Sequence, residues 1–203
     1  MTEDPGLEPI EDLFDATAAT GPVTAGGGSS TSSANQGAAV SIQPFVMQRA
    51  QRTTWCWAAV AVSVHGHYNS ASLATVSPQQ CEVVNAVFPG NNCCQSPVSP
   101  ACNQPGQLDR ALNHVGHLHV HRSGTARFAR ILREVSAAPL PRPVCGRAAW
   151  TGGHFFVIHD CDANTQDLDI DDPHYGPSTV NYHALIQSGY RGLGAWSDTY
   201  LTQ

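Results

Sequence analysis

The chain has 203 residues, enough for one domain with a substantial core or two small lobes sharing a cleft. Its formal charge of −6 is uneven, because six of its 16 acids fall in the first forty residues, which hold no basic residue. The ten remaining acids are balanced by ten basic residues, all arginine, so residues 41–203 lack the basic footprint of a nucleic-acid binder and nucleic acid is not expected as a partner.

Residues 1–40 divide into an acidic leader and a Gly/Ser linker. Leu7, Ile10, Leu13 and Phe14 recur at near-helical spacing among the acids, and residues 26–33 read GGGSSTSS. This composition predicts disorder; a docking, routing or removable segment is the sharper alternative. No basic n-region and no apolar run long enough to cross a bilayer is visible, so a soluble monomer away from membranes is expected. Seven cysteines is many for a reducing compartment, and points to export by a route without a cleaved signal.

The folded part begins near residue 41. Residues 57–67, apolar with small side chains, predict a buried helix, and 79–87 and 106–115 predict two short helices around a Cys/Asn/Pro loop. Residues 117–121 alternate like a strand, and 126–136 form an amphipathic helix. The period then changes to two, predicting strands at 143–149, 154–160, 167–171 and 194–201, with a short helix over 181–187. Helices first and antiparallel strands later imply an α+β fold, a helical lobe beside a sheet lobe with a cleft between.

Cys81, Cys93, Cys94 and Cys102 crowd into the loop-rich stretch, and two disulfides among them are expected, in a pairing that spacing does not reveal. Cys145 and Cys161 fall on strands expected to be neighbours, where a third bridge and two free thiols are equally consistent. Cys56 stands apart, flanked by Trp55 and Trp57 and followed by Ala58 and Ala59 at the start of the first helix. A helix N-terminus stabilises a thiolate, so Cys56 is the candidate nucleophile; the alternative is a buried structural cysteine. His154, preceded by Gly152 and Gly153, opens an apolar strand and is the candidate base. Asp172, followed by Pro173, ends a later strand and is the candidate for orienting that imidazole. Asp171 is its rival, and adjacent strand residues face opposite sides, so one of them serves. The Cys56 amide and the Gln51 side chain are candidate oxyanion donors, with Gln48 as the other glutamine.

These motifs in this order resemble the bacterial papain-like cysteine proteases of the C70/C39-like type, a group that includes secreted effector proteases. The resemblance rests on QRTTWCWAA (51–59), the cysteines at 81, 93, 94 and 102 with ACNQP (101–105), LDRAL (108–112), GGHF (152–155) and DPHYG (172–176), and it covers roughly residues 42–202. It implies a papain-like peptidase domain over 41–203, a Cys56–His154–Asp172 triad, a protein or peptide substrate, and no cofactor. Papain-like enzymes commonly place the oxyanion glutamine six residues before the cysteine, where this chain has Ala50. An amidase, deamidase or transpeptidase would use the same nucleophile, and an inactive binding module would keep the scaffold. His114, His117, His119 and His121 form a competing constellation with metal-ligand spacing, but no adjoining carboxylate or cysteine completes it, and no metal is expected.

Overall fold

A computed structural model describes residues 45–69, 78–149 and 152–203. Residues 1–40, where the leader and linker were read, lie outside these. Five helices and six strands follow the order α1 (Cys56–Tyr68), α2 (Gln80–Val87), α3 (Leu108–His114), β1 (Leu118–Ser123), α4 (Phe128–Val135), β2 (Val144–Ala148), β3 (His154–Cys161), β4 (Asp167–Asp171), β5 (Ser178–Asn181), α5 (Tyr182–Ser188) and β6 (Trp196–Thr202). The strands form one antiparallel sheet in the order β1-β6-β2-β3-β4-β5, so the fold is α+β.

The sheet separates two apolar layers, and strand alternation decides which residue enters which. Cys145, Phe155, Val157 and Tyr200 face the layer built around α1, α2 and α3. Val144, Phe156, Ile158 and Leu201 face the opposite layer, with Ile131 and Val135 of α4 and Leu185 of α5. The expected two lobes are therefore helices on both faces of the sheet, with α1–α3 forming the side that meets the cleft. Helix α1 is buried almost all round, from Cys56 to Val64. An apolar helix of this kind is stable only when enclosed. Its alanines and valines let α2, α3 and β3 approach together, and the Ser63 hydroxyl is absorbed by donating to the Ala59 carbonyl at 2.7 Å.

Two disulfides, Cys81–Cys94 and Cys93–Cys102, fold the loop between α2 and α3. The neighbours Cys93 and Cys94 thus serve different partners. Cys102 is also tied to the first helix, because the Trp55 indole N–H donates to its carbonyl at 2.8 Å. Cys145 and Cys161 are free thiols, and a third bridge does not form. The register explains this: Cys145 pairs with Val157, leaving Cys161 beyond the end of β2, and an irregularity in β3 turns Cys161 toward the opposite layer.

Strand β5 was not anticipated. It has four residues, follows Pro177 and shows no apolar alternation, as suits a short edge strand on β4.

At the centre of the sheet Gly146 pairs with Phe156, whose ring lies across the glycine. A Cβ at residue 146 would sit 2.3 Å from Phe156 Cζ. That ring cannot retreat, being stacked on Tyr190 at 4.3 Å and set edge-on to Trp196 at 5.7 Å. Gly146→Ala is therefore expected to lower the free energy of unfolding by about 1–3 kcal/mol, read from urea denaturation. A variant as stable as the parent would contradict this packing.

Candidate active site

Cys56 is the first residue of α1, and its Trp55 N-cap supplies no side-chain acceptor. The positive end of the helix dipole therefore lies at the sulfur. The segment leading into the helix is fixed from several sides. Thr54 Oγ donates to Asn103 Oδ1 at 2.8 Å. The buried Gln80 side chain receives the Gln51 amide at 3.0 Å and donates to the Arg49 carbonyl at 2.8 Å and to Gln48 Oε1.

Opposite Cys56, His154 opens β3 after Gly152 and Gly153, whose φ angles of 85° and 77° suit glycine. The space there is narrow, since a Cβ on Gly152 would approach Pro105 Cγ to 3.0 Å. Asp172 is the first residue beyond β4, and its carboxylate is almost fully enclosed. Its Oδ2 accepts from His154 Nε2 at 2.7 Å and from the Tyr190 hydroxyl at 2.8 Å. Its Oδ1 accepts the amides of His174 at 2.7 Å and Tyr175 at 3.0 Å, closing a tight Asx-type turn. This turn is anchored in its own right: Ala50 N–H donates to the Pro173 carbonyl at 2.9 Å, and Arg49 donates to the His174 carbonyl at 3.0 Å. The segment before α1 and the turn after β4 are thereby tied together, which sets the two sides of the site in register.

With Nε2 committed to Asp172, Nδ1 of His154 is the nitrogen left for the thiol. Cys56, His154 and His174 bring their sulfur and ring nitrogens within 4.8 Å of one another. They line a cavity of about 480 Å³ with Thr53, Thr54, Trp57, Pro105, Gly152, Gly153 and Tyr175.

Electrostatics follow from these contacts. Burial pushes the Cys56 thiol up, but hydrogen bonds from His154 and His174, the His154 charge and the Phe155 amide outweigh it, lowering its pKa to about 7. Burial disfavours a charged His154, yet the Asp172 hydrogen bond and the Cys56 sulfur outweigh that and raise it to about 9. Asp172 is also disfavoured by burial, and the His154 hydrogen bond and charge with the two turn amides hold it below the usual carboxylate range. Each partner thus favours the charged form of the next, and the arrangement supports a thiolate–imidazolium pair.

Of the two aspartates, Asp172 is the one that bonds His154. Asp171 pairs across the sheet with Val157 and lies 3.8 Å from His159. Gln51 is exposed and is not among the residues lining the cavity. The side-chain oxygen of Gln48 is engaged by Gln80. The histidines near β1 bond to other groups rather than converge on one another: His117 to His65 and the Gln203 carbonyl, His119 to the Gln203 side chain, and His121 to Asp198. Two contributors have no counterpart in the sequence reading. His174 is the second imidazole at the sulfur, and Tyr190 is the hydroxyl that caps Asp172. The signal for His174 was the Asp-Pro turn itself, because a turn closed by an aspartate side chain brings the residue two positions on back toward that aspartate. Tyr190 left no local signal.

No protein-family model matches the chain, and no curated protein matches it. Among solved structures it is similar to the peptidase domain of Streptococcus ComA, a bi-functional ABC transporter involved in a quorum-sensing pathway. That likeness has 18% identity and a TM-score of 0.44, covering 78% of this chain and 98% of that one. It is also similar to the Pseudomonas avirulence protein AvrPphB, with 12% identity and a TM-score of 0.35 over 73% of this chain and 88% of that one. Among the described residues no helix is long and apolar enough to cross a membrane.

The charge pattern predicts a graded thiol reactivity. Burial raises Cys145 far above its ordinary value, and burial with nearby aspartates raises Cys161 to about 11. Iodoacetamide at pH 7–8 should therefore label Cys56 well ahead of the other two, with a rate that climbs through about pH 7. Mass-spectrometric site assignment reads this directly, and labelling of Cys161 ahead of Cys56 would contradict it.

Proposed function

We propose that residues 41–203 form a papain-like cysteine peptidase domain acting on protein or peptide substrates, with Cys56 as nucleophile, His154 as proton carrier and Asp172 as the orienting acid. What carries this reading is the convergence of Cys56 and His154 across one cavity, with the far nitrogen of that imidazole held by a saturated, buried carboxylate. The thiolate attacks the peptide carbonyl, forming the C–S bond. His154 then delivers its proton to the leaving amine as the C–N bond breaks. In the second half His154 takes a proton from water, whose oxygen attacks the thioester and releases Cys56. Asp172 holds one ring orientation and supports the imidazolium throughout.

The developing oxyanion is assigned to the Cys56 amide at the start of α1. The Gln51 side chain is proposed as second donor, turning into the cavity when substrate binds, since catalytic hydrogen bonds often tighten only in the complex. Gln51→Ala should then lower kcat by about 10²–10³, and an unchanged kcat would remove Gln51 from the mechanism.

The test of the triad uses quenched fluorescent peptide libraries with the full chain. Cys56→Ala should abolish cleavage. Asp172→Asn should reduce kcat/KM by about 10²–10⁴, while Asp171→Asn should leave it unchanged. Cleavage surviving in Cys56→Ala, or equal losses in the two aspartate variants, would overturn the assignment.

A further inference from the structure

The acyl-transfer steps employ one imidazole, yet two meet the Cys56 sulfur. His174 lies two residues beyond Asp172 in the same anchored turn, its backbone amide held by that carboxylate at 2.7 Å. Its ring lies 5.6 Å from the His154 ring, centroid to centroid. A cysteine sulfur and two imidazoles whose ligand atoms fall within 4.8 Å of one another form a donor set of definite chemistry. Thiolate and imidazole together select zinc-class cations, whereas magnesium and calcium require oxygen ligands. The one carboxylate at hand, Asp172, has both oxygens engaged by four donors.

Zinc bonds of about 2.3 Å to sulfur and about 2.0 Å to imidazole nitrogen place tetrahedral ligand atoms about 3.3–3.5 Å apart. From separations of up to 4.8 Å, the ligand atoms need to close by about 1.5 Å at most, through rotation of the Cys56 and His174 side chains. The outer sphere is already in place. Asp172 receives the far nitrogen of His154 at 2.7 Å, the carboxylate–histidine arrangement that orients metal-binding imidazoles. The cavity on the open side leaves the fourth position to water.

We propose that Cys56, His154 and His174 form a three-ligand site for zinc, and that its occupation withdraws the Cys56 sulfur from reaction. Binding replaces the Nδ1–H bond of the His154 imidazolium with an N–Zn bond and releases that proton to solvent, while the thiolate electron pair that would attack a carbonyl is committed to an S–Zn bond. The site stands on the ligand geometry alone; its consequence as reversible inhibition rests on the peptidase reading above.

The test uses the full chain, purified free of metal, with cobalt(II) as the spectroscopic probe and zinc as competitor. One equivalent of cobalt should produce a sulfur-to-cobalt charge-transfer band in the near ultraviolet, erased by zinc and absent in Cys56→Ser. Zinc should also slow iodoacetamide labelling of Cys56 and a chelator should restore it. His174→Gln, referred to its own labelling rate without metal, should raise the half-protecting zinc concentration at least about tenfold. Absence of the band, its survival in Cys56→Ser, or unchanged protection in a folded His174→Gln would overturn the site. If His174→Gln does not fold, the band in the unaltered chain and its dependence on Cys56 still decide. A band and protection in a chain that cleaves no peptide would leave the zinc site and remove the peptidase reading. Cleavage that depends on Cys56 but is indifferent to zinc would do the reverse.

Discussion

The carboxylate of Asp172, enclosed at 1% exposure, accepts four hydrogen bonds: two from the turn that follows it, one from Tyr190 and one from His154. A buried carboxylate is costly unless its lone pairs are met, and here they are met in full. The consequence is directional. With its remaining geometry fixed by backbone and tyrosine, the oxygen facing His154 can hold that ring in one orientation only. The ring's second nitrogen is then delivered to Cys56, and the charges on all three side chains become mutually supporting.

Everything needed to place that carboxylate comes from separate parts of the chain. Strand β4 supplies its position, the β3–β4 pairing supplies its distance from His154, and the stacked Phe156–Tyr190 pair supplies the hydroxyl. Cys56 arrives from the other side, on a helix that has no polar face and so must be enclosed by α2, α3 and the sheet. The disulfide-bonded loop fixes the start of that helix through the Trp55 indole and Thr54. The hydrogen bond from Ala50 to Pro173 then joins the two halves across the cavity. The site is therefore assembled by backbone contacts near it as much as by the packing beneath it.

Much of this was legible in the sequence because the relevant signals are local. The apolar run after Cys56, the paired glycines before His154 and the proline after Asp172 each mark an element boundary, and the elements begin or end where those residues stand. The choice between Asp171 and Asp172 follows the same logic, since strand alternation sends them to opposite faces. What escaped was set by contacts between distant segments. The place of β6 between β1 and β2 and the separation of Cys145 from Cys161 depend on strand register, and the pairing of the four cysteines on how the loop between α2 and α3 folds; no single segment encodes either. Tyr190 reaches Asp172 across a loop, and His174 reaches Cys56 only because its turn is pinned to the segment before α1. Gln51 shows the converse: its spacing from Cys56 suggested a donor, but the Gln80 clamp governs its backbone and its side chain lies exposed.

The central claim is that Asp172, through His154, makes the Cys56 sulfur an anion paired with an imidazolium. Nitrogen-15 NMR of the His154 side chain at pH 8, between the Cys56 value of about 7 and the His154 value of about 9, reads this state without any substrate. The account predicts an imidazolium with both ring nitrogens protonated, reverting to neutral imidazole in Asp172→Asn. A neutral His154 ring at that pH in the unaltered chain would contradict it.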